Sequence, residues 1–69
     1  MMASKGSEVV DVQYDRIKLD DKKYKSILFE FGDKEVWLPR SLIEVDTDAR
    51  VVVMPRWKAE QAEIEDFVE

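Results

Sequence analysis

The chain has 69 residues, of which 39% are charged, and its formal net charge at neutral pH is −5. Cysteine and histidine are both absent, which excludes disulfides, thiolate metal sites and histidine-based acid–base catalysis. Residues 1–7 lack the apolar core of a signal peptide and predict a disordered tail, which leaves residues 8–69 as one small domain. The mixed charges and the lack of a long apolar run predict a cytoplasmic protein without a membrane segment.

The first part of the domain alternates apolar and polar residues in the manner of a half-buried strand. Val10, Val12 and Tyr14 fall on one face at a period of two. Ile17 and Leu19 resume the alternation out of phase with them. The pattern therefore predicts either a bulge between the two runs or the end of the first strand there.

Residues 24–39 predict one β-hairpin around the dipeptide Gly32-Asp33, which suits a two-residue loop with glycine first. The register that this turn sets pairs Ile27 with Leu38, Leu28 with Trp37, Phe29 with Val36 and Glu30 with Glu35. Aromatic and β-branched pairs across two strands stabilise a sheet, and the two glutamates oppose it slightly. Pro39 has no N–H to donate, so it is expected to end its strand or to lie at a sheet edge.

The C-terminal part changes from strand to helix at Pro55. Residues 44–45 and 50–54 predict two short strands. Because proline fits the first turn of a helix, we expect a helix over residues 56–68. Trp57 lies on the apolar stripe of that helix and is expected to anchor it to the sheet.

The fold class expected from these elements is mainly β (α+β), with four or five strands and one C-terminal helix. The strands would form a small, curved antiparallel sheet or a half-barrel of SH3-like or OB-like size. The helix would cover one open face or end of that sheet.

Two sequence blocks carry a resemblance to a known group of proteins. The first reads Glu35-Val36-Trp37-Leu38-Pro39-Arg40-Ser41-Leu42-Ile43-Glu44, and the second reads Val53-Met54-Pro55-Arg56-Trp57. With the glycine-containing turn before them, they resemble short uncharacterised proteins of bacteriophages and prophages that carry a V-W-L-P-[KR]-S block and a late V-P-x-W helix start. The methionine before the proline departs from the second pattern. The resemblance covers residues 22–58 and implies a small accessory protein of a phage or mobile element, in the host cytoplasm.

Two surfaces are candidates for binding a protein partner. Trp37 and Arg40 would place an indole beside a cation, a combination that is enriched in binding hot spots. The alternative is that Trp37 packs against the helix, as large aromatic residues of small domains usually do. Glu60, Glu63 and Asp66 would dock on a basic partner, and the alternative is that they form only the solvated face of the helix.

A basic stretch is the candidate for binding single-stranded nucleic acid. It consists of Lys18, Lys22, Lys23, Tyr24 and Lys25. A basic groove with an aromatic stacking platform is the usual single-strand site of small β-domains. The alternative is a solvated hairpin whose lysines protect an edge strand, and the acidic net charge of the chain weakens attraction to phosphates.

The sequence predicts no enzymatic activity, no cofactor and no metal site. Its serines have no histidine to activate them, and its two glycines, Gly6 and Gly32, are too far apart for a phosphate-binding loop. The function that these observations favour is a non-enzymatic phage or mobile-element accessory protein. It would bind a host or phage protein, inhibition of a host factor being one such role, and it could also form homo-oligomers. The alternative is a small β-barrel that binds single-stranded nucleic acid.

Overall fold

The computed structural model describes residues 8–69, so the predicted tail at residues 1–7 lies outside the described part. The fold is mainly β, as predicted. The strands are β1 (Val9–Gln13), β2 (Arg16–Leu19), β3 (Ser26–Phe31), β4 (Lys34–Pro39), β5 (Glu44–Asp46) and β6 (Val51–Pro55). A short helix α1 (Arg56–Gln61) and two 3-10 helices (Arg40–Leu42 and Glu65–Phe67) complete the elements.

The strands form two antiparallel sheets of three strands each. The first sheet has the order β1-β6-β5 and the second has the order β2-β3-β4. The chain passes from one sheet to the other at Tyr14 and Asp15, so the first strand ends there rather than continuing through a bulge. This division raises the number of strands above the predicted four or five.

The inner faces of the two sheets share one apolar core. Its buried residues are Val10, Val12, Tyr14, Ile27, Phe29, Phe31, Leu38, Val52, Met54, Ala59 and Ile64. The predicted face of β1 is therefore confirmed, and β3 contributes every second residue as expected for a half-buried strand. Within residues 8–69 no polar or charged residue is buried, so apolar packing alone stabilises this interior.

The β3–β4 hairpin has the predicted register at every pair. Phe29 lies opposite Val36 and Leu28 lies opposite Trp37. Gly32 has a φ of +58°, a left-handed conformation that glycine adopts without steric cost. Pro39 is the last residue of β4, which is an edge strand of the second sheet.

The predicted helix over residues 56–68 is wrong in its C-terminal bound, because α1 ends at Gln61. Glu63 adopts a left-handed φ of 61°, which reverses the chain and directs Ile64 into the core, where it is fully buried. The rest of the segment returns along β1, where Val68 forms a bridge with Val12. None of the helices in residues 8–69 combines the length and the apolar composition that a membrane span requires.

The prediction that Trp57 anchors the helix is also wrong. Its side chain is 41% exposed, whereas Ala59 is 1% exposed. In a helix of six residues only one short face meets the sheets, and Ala59 occupies that face. Ile64, beyond the end of the helix, supplies the larger apolar contact.

Candidate functional site

The outer face of the second sheet has a charged end next to the β3–β4 turn. Arg16 Nε donates to Glu30 Oε1 at 2.7 Å, and Lys18 Nζ donates to Glu35 Oε2 at 2.6 Å. These two bonds offset the unfavourable pairing of Glu30 with Glu35 across the hairpin. The charges at this end are therefore neutralised within the chain.

The opposite end of the same face carries exposed apolar side chains. Trp37 is 46% exposed, Tyr24 is 44% exposed and Leu19 is 37% exposed. The Tyr24 and Trp37 rings meet edge to face, with centroids 6.0 Å apart and planes at 65°. Together with Lys25 and Ser26 these three residues line a shallow pocket of about 320 Å³. We call these five residues the aromatic patch.

Strand pairing brings the apolar members of this patch together. Leu28 of β3 lies opposite Trp37 of β4 on one side and opposite Leu19 of β2 on the other. The three side chains therefore form a row across the sheet. Trp37 is not among the core residues and keeps 46% of its area exposed, so the alternative that it packs against the helix as a core residue is wrong.

Arg40 holds the turn that presents Tyr24. Its Nε donates to the carbonyl oxygen of Tyr24 at 2.9 Å, and its Nη2 donates to Asp20 Oδ1 at 2.6 Å and to the carbonyl oxygen of Asp21 at 2.9 Å. Within the turn, the Tyr24 N–H donates to the carbonyl oxygen of Asp21 at 2.9 Å. The guanidinium was predicted as a partner-binding group, but its donors are directed at the chain itself. Its role in the structure is to position Tyr24.

Three lysines belong to the aromatic patch or to the turn that precedes it. Lys22, Lys23 and Lys25 are exposed, and within residues 8–69 none of them lies within 4.0 Å of a carboxylate oxygen. The ammonium of Lys23 lies 5.6 Å from the centroid of the Tyr24 ring, a cation–π distance. Lys18, which was predicted with them, differs because Glu35 pairs with it.

The structure thus joins two surfaces that the sequence analysis treated as separate. Trp37 belonged to the predicted protein-binding surface and Tyr24 to the predicted nucleic-acid surface, yet the two rings are in contact. Leu19 was missed altogether. Alternation from Ile17 predicts Leu19 on the inner face, and the register shift between these two residues, which sets Leu19 opposite Leu28 on the outer face, had no signal in the sequence.

The predicted acidic residues do not form one surface. Glu60 lies near Arg56 and Trp57 in a small hollow of about 70 Å³. Glu63 lies in the turn after α1, where Lys34 Nζ donates to its carbonyl oxygen at 2.6 Å. Asp66 lies in the second 3-10 helix and lines a different groove. A long helix would have aligned them, but α1 is too short for that.

The groove beside Asp66 contains a buried tyrosine, Tyr14, whose pKa is raised. The groove has a volume of about 430 Å³ and includes Tyr14 and Arg50 in its lining. Burial raises the pKa of Tyr14, the Asp46 carboxylate raises it further, and Arg50 acts in the opposite direction. Within residues 8–69 no group of three or more acidic side chains is placed to hold a metal ion.

Comparisons with known proteins give no information on the aromatic patch. No family model matches the chain, and no curated protein or solved structure is significantly similar to it.

Proposed function

We propose that this chain is a non-enzymatic accessory protein of a phage or mobile element that acts by binding another protein. The aromatic patch is the binding surface. The resemblance of residues 22–58 to phage and prophage proteins favours a host or phage protein as the partner. Inhibition of a host factor is one form that such binding would take.

The observation that carries this proposal is the exposure of Leu19, Tyr24 and Trp37 next to one another at one end of the second sheet. Large aromatic side chains next to one another on a surface are typical of binding hot spots, since they bury much area on contact. These side chains are also preorganised, because the strand pairing and Arg40 hold them before any partner arrives. Preorganisation lowers the entropic cost of binding.

The chemistry of the available side chains favours binding over catalysis in this proposal. The chain has neither histidine nor cysteine, so an activated nucleophile would have to be built from serine, lysine or a carboxylate. The aromatic patch offers apolar area and unpaired ammonium groups. These groups suit adhesion better than proton transfer.

A paired capture experiment tests the proposal. The tagged protein, its Trp37→Ala variant and its Trp57→Ala variant are each incubated with lysate of host cells carrying the phage or element. The two tryptophans are similarly exposed, at 46% and 41%, so Trp57→Ala is a matched control. We expect a protein that the wild type and Trp57→Ala capture and that Trp37→Ala does not.

Two outcomes of the capture experiment would contradict the proposal. If all three proteins capture the same set, or none captures any protein, the aromatic patch is not a protein-binding surface. Light scattering on the purified chain identifies the case in which the partner is a second copy, because the mass would then double in a Trp37-dependent manner.

Binding of single-stranded nucleic acid is the second candidate, and one observation favours it. Tyr24 and Trp37 are exposed beside Lys22, Lys23 and Lys25, which is the combination of stacking rings and cations that single-strand sites use. Titration of a labelled oligothymidylate at low and moderate salt tests it. Phosphate binding must weaken steeply as salt rises, and absence of binding at low salt ends this interpretation.

A further inference from the structure

Strand β4 is the long, regular edge of the second sheet. It has six residues, and its pairing with β3 continues without irregularity from Ser26–Pro39 to Phe31–Lys34. The other outer edges in residues 8–69 are less open. Strand β5 has three residues, β2 has a register shift before Leu19, and the C-terminal segment bridges to β1 at Val12. Pro39 limits the β4 edge at its last residue, and the stretch before it, which has no register shift, is a template for another strand.

The hydrogen-bond phase of the hairpin shows which backbone groups of β4 are free. The Arg40 N–H donates to the carbonyl oxygen of Lys25 at 2.9 Å, so even-numbered residues of β4 bond to odd-numbered residues of β3. The carbonyl oxygen of Glu30 points the other way, since it accepts from the Asp15 N–H at 2.8 Å. By the same alternation, the N–H and C=O groups of Glu35 and Trp37 point away from β3, towards the open edge.

The aromatic patch begins at this same edge. Trp37 contributes its backbone groups to the edge and its indole to the patch. An extended segment that pairs with β4 would therefore carry every second side chain over the outer face, next to Trp37 and Tyr24. The pocket of about 320 Å³ is large enough for one apolar side chain of that segment.

The charges around the patch select the chemistry of the segment. Lys22, Lys23 and Lys25 have no carboxylate partner within residues 8–69, although the whole chain carries a net charge of −5. With Arg40 and the two carboxylates of Asp20 and Asp21 included, this end carries four cations against two anions, and this excess of positive charge would attract acidic residues of a partner. It would also repel basic segments that could otherwise pair with the same edge.

We propose that the partner supplies an extended, acidic segment that pairs with β4 as an added strand. The segment places one large apolar side chain in the aromatic patch and its acidic residues near Lys22, Lys23 and Lys25. This inference rests on the proposed function and specifies the partner's chemistry and its mode of binding. Main-chain hydrogen bonds give such complexes their affinity, and side-chain pockets give them their specificity.

The geometry favours a peptide over a nucleic-acid strand. The Tyr24 and Trp37 planes meet at 65°, so they do not present two parallel platforms for successive bases. The outward N–H and C=O groups of Glu35 and Trp37 can complete a ladder with a peptide main chain, whereas a nucleic-acid backbone carries no such alternating groups.

Selection from a random peptide library tests the chemistry of the segment. The library is panned on the wild-type protein and counter-selected on Trp37→Ala. We expect enriched peptides that combine negative net charge with one aromatic or large aliphatic residue. A synthetic copy of an enriched peptide should bind at least tenfold more weakly to the triple variant Lys22→Glu, Lys23→Glu, Lys25→Glu, and Trp57→Ala should leave its affinity unchanged. Neutral or basic enriched sequences, no enrichment over Trp37→Ala, or tighter Trp37-dependent binding of oligothymidylate would overturn the proposal.

Amide hydrogen exchange of the peptide complex tests the added strand. We expect the Glu35 and Trp37 amides to exchange quickly in the free protein because they point away from β3, and to slow by at least tenfold on binding. The Val36 and Leu38 amides, which already bond to β3, serve as internal controls. Unchanged exchange at Glu35 and Trp37 overturns the strand mode. The proposed function survives that result if capture still depends on Trp37, whereas it fails if capture itself is independent of Trp37.

Discussion

The two faces of the second sheet both carry aromatic side chains, but the two sets have different surroundings. On the inner face Phe29 and Phe31 have no exposed area, and their rings contact Tyr14 and Phe67. On the outer face Trp37 keeps 46% of its area exposed. Hydrophobic stabilisation scales with the area removed from water, so the inner rings stabilise the fold. The outer rings can release the same kind of free energy only when a partner covers them.

The largest effect is expected from Phe29→Ala. Truncating a fully buried phenylalanine removes its transfer free energy and leaves a cavity, at a cost of about 3–5 kcal/mol. A domain of this size has little more stability than that, so the variant should be largely unfolded. Circular dichroism during thermal denaturation measures this loss. A melting temperature close to that of the wild type would show that the inner face is not the source of stability.

Gly32→Ala should have the next largest effect. A Cβ at this position would sit 3.1 Å from Phe67 Cζ, and the φ of +58° is strained for alanine, so we expect a loss of about 1–3 kcal/mol. Chemical denaturation measures it, with Asp33→Ala in the same turn as the control. Equal midpoints for the two variants would show that neither the left-handed conformation nor the contact with Phe67 matters.

Arg40→Ala should lower both the stability of the fold and the capture of a partner. Loss of the bonds to Asp20, Asp21 and Tyr24 is expected to cost about 1–2 kcal/mol of stability. Hydrogen bonds from a charged group are stronger than neutral ones, but the partial exposure of this guanidinium reduces the loss. The freed turn should weaken partner capture even where the protein remains folded. Arg40→Lys keeps the charge but not the forked geometry, so it should resemble Arg40→Ala. Full capture by both variants would show that Tyr24 needs no positioning.

Trp37→Ala should change stability least among these substitutions. Its indole is half exposed and lies outside the core, so we expect a loss below about 1 kcal/mol. Thermal denaturation beside Phe29→Ala gives the comparison directly. A large loss of stability in Trp37→Ala would mean that the outer face helps to hold the fold and would weaken its assignment to binding.

The stability of the fold should also depend on pH in the alkaline range. Because burial raises the pKa of Tyr14, the folded state favours the protonated phenol. The stabilisation from the protonated Tyr14 phenol is fully present below the ordinary tyrosine pKa of about 10. It is lost as the pH rises from there through the raised pKa of the folded state. Unfolding measured across this range should show a fall in stability that Tyr14→Phe reduces. Identical pH profiles for the two proteins would contradict this interpretation.

The sequence predicted the hairpin well and the C-terminal segment poorly, for a physical reason. The register of β3 and β4 follows from the Gly32-Asp33 turn and the alternating pattern, which are local properties. The end of α1 depends on contacts between distant parts of the chain. Ile64 is buried in the shared core, and Lys34 binds the Glu63 carbonyl oxygen from another element. Periodicity alone could not predict a chain reversal that these contacts stabilise.

The candidate site was predicted only in pieces for the same reason. Trp37, Tyr24 and the lysines were each identified from residue type. Their assembly depends on the turn before β3, which Arg40 fixes from beyond the end of β4. The exposure of Trp37 also required knowledge of where the helix lies. Residue chemistry therefore identified most members of the aromatic patch, and tertiary structure was needed to show that they are neighbours.

Tryptophan fluorescence of single-tryptophan variants is the most direct test of the account. Trp57→Phe leaves Trp37 as the only reporter, and Trp37→Phe leaves Trp57. The captured partner, or an acidic peptide from the selection, is titrated into each variant. We predict that the Trp37 emission shifts to shorter wavelength as the patch is covered, while the Trp57 emission stays constant. A shift at Trp57 with none at Trp37 would place the binding surface elsewhere and contradict the account.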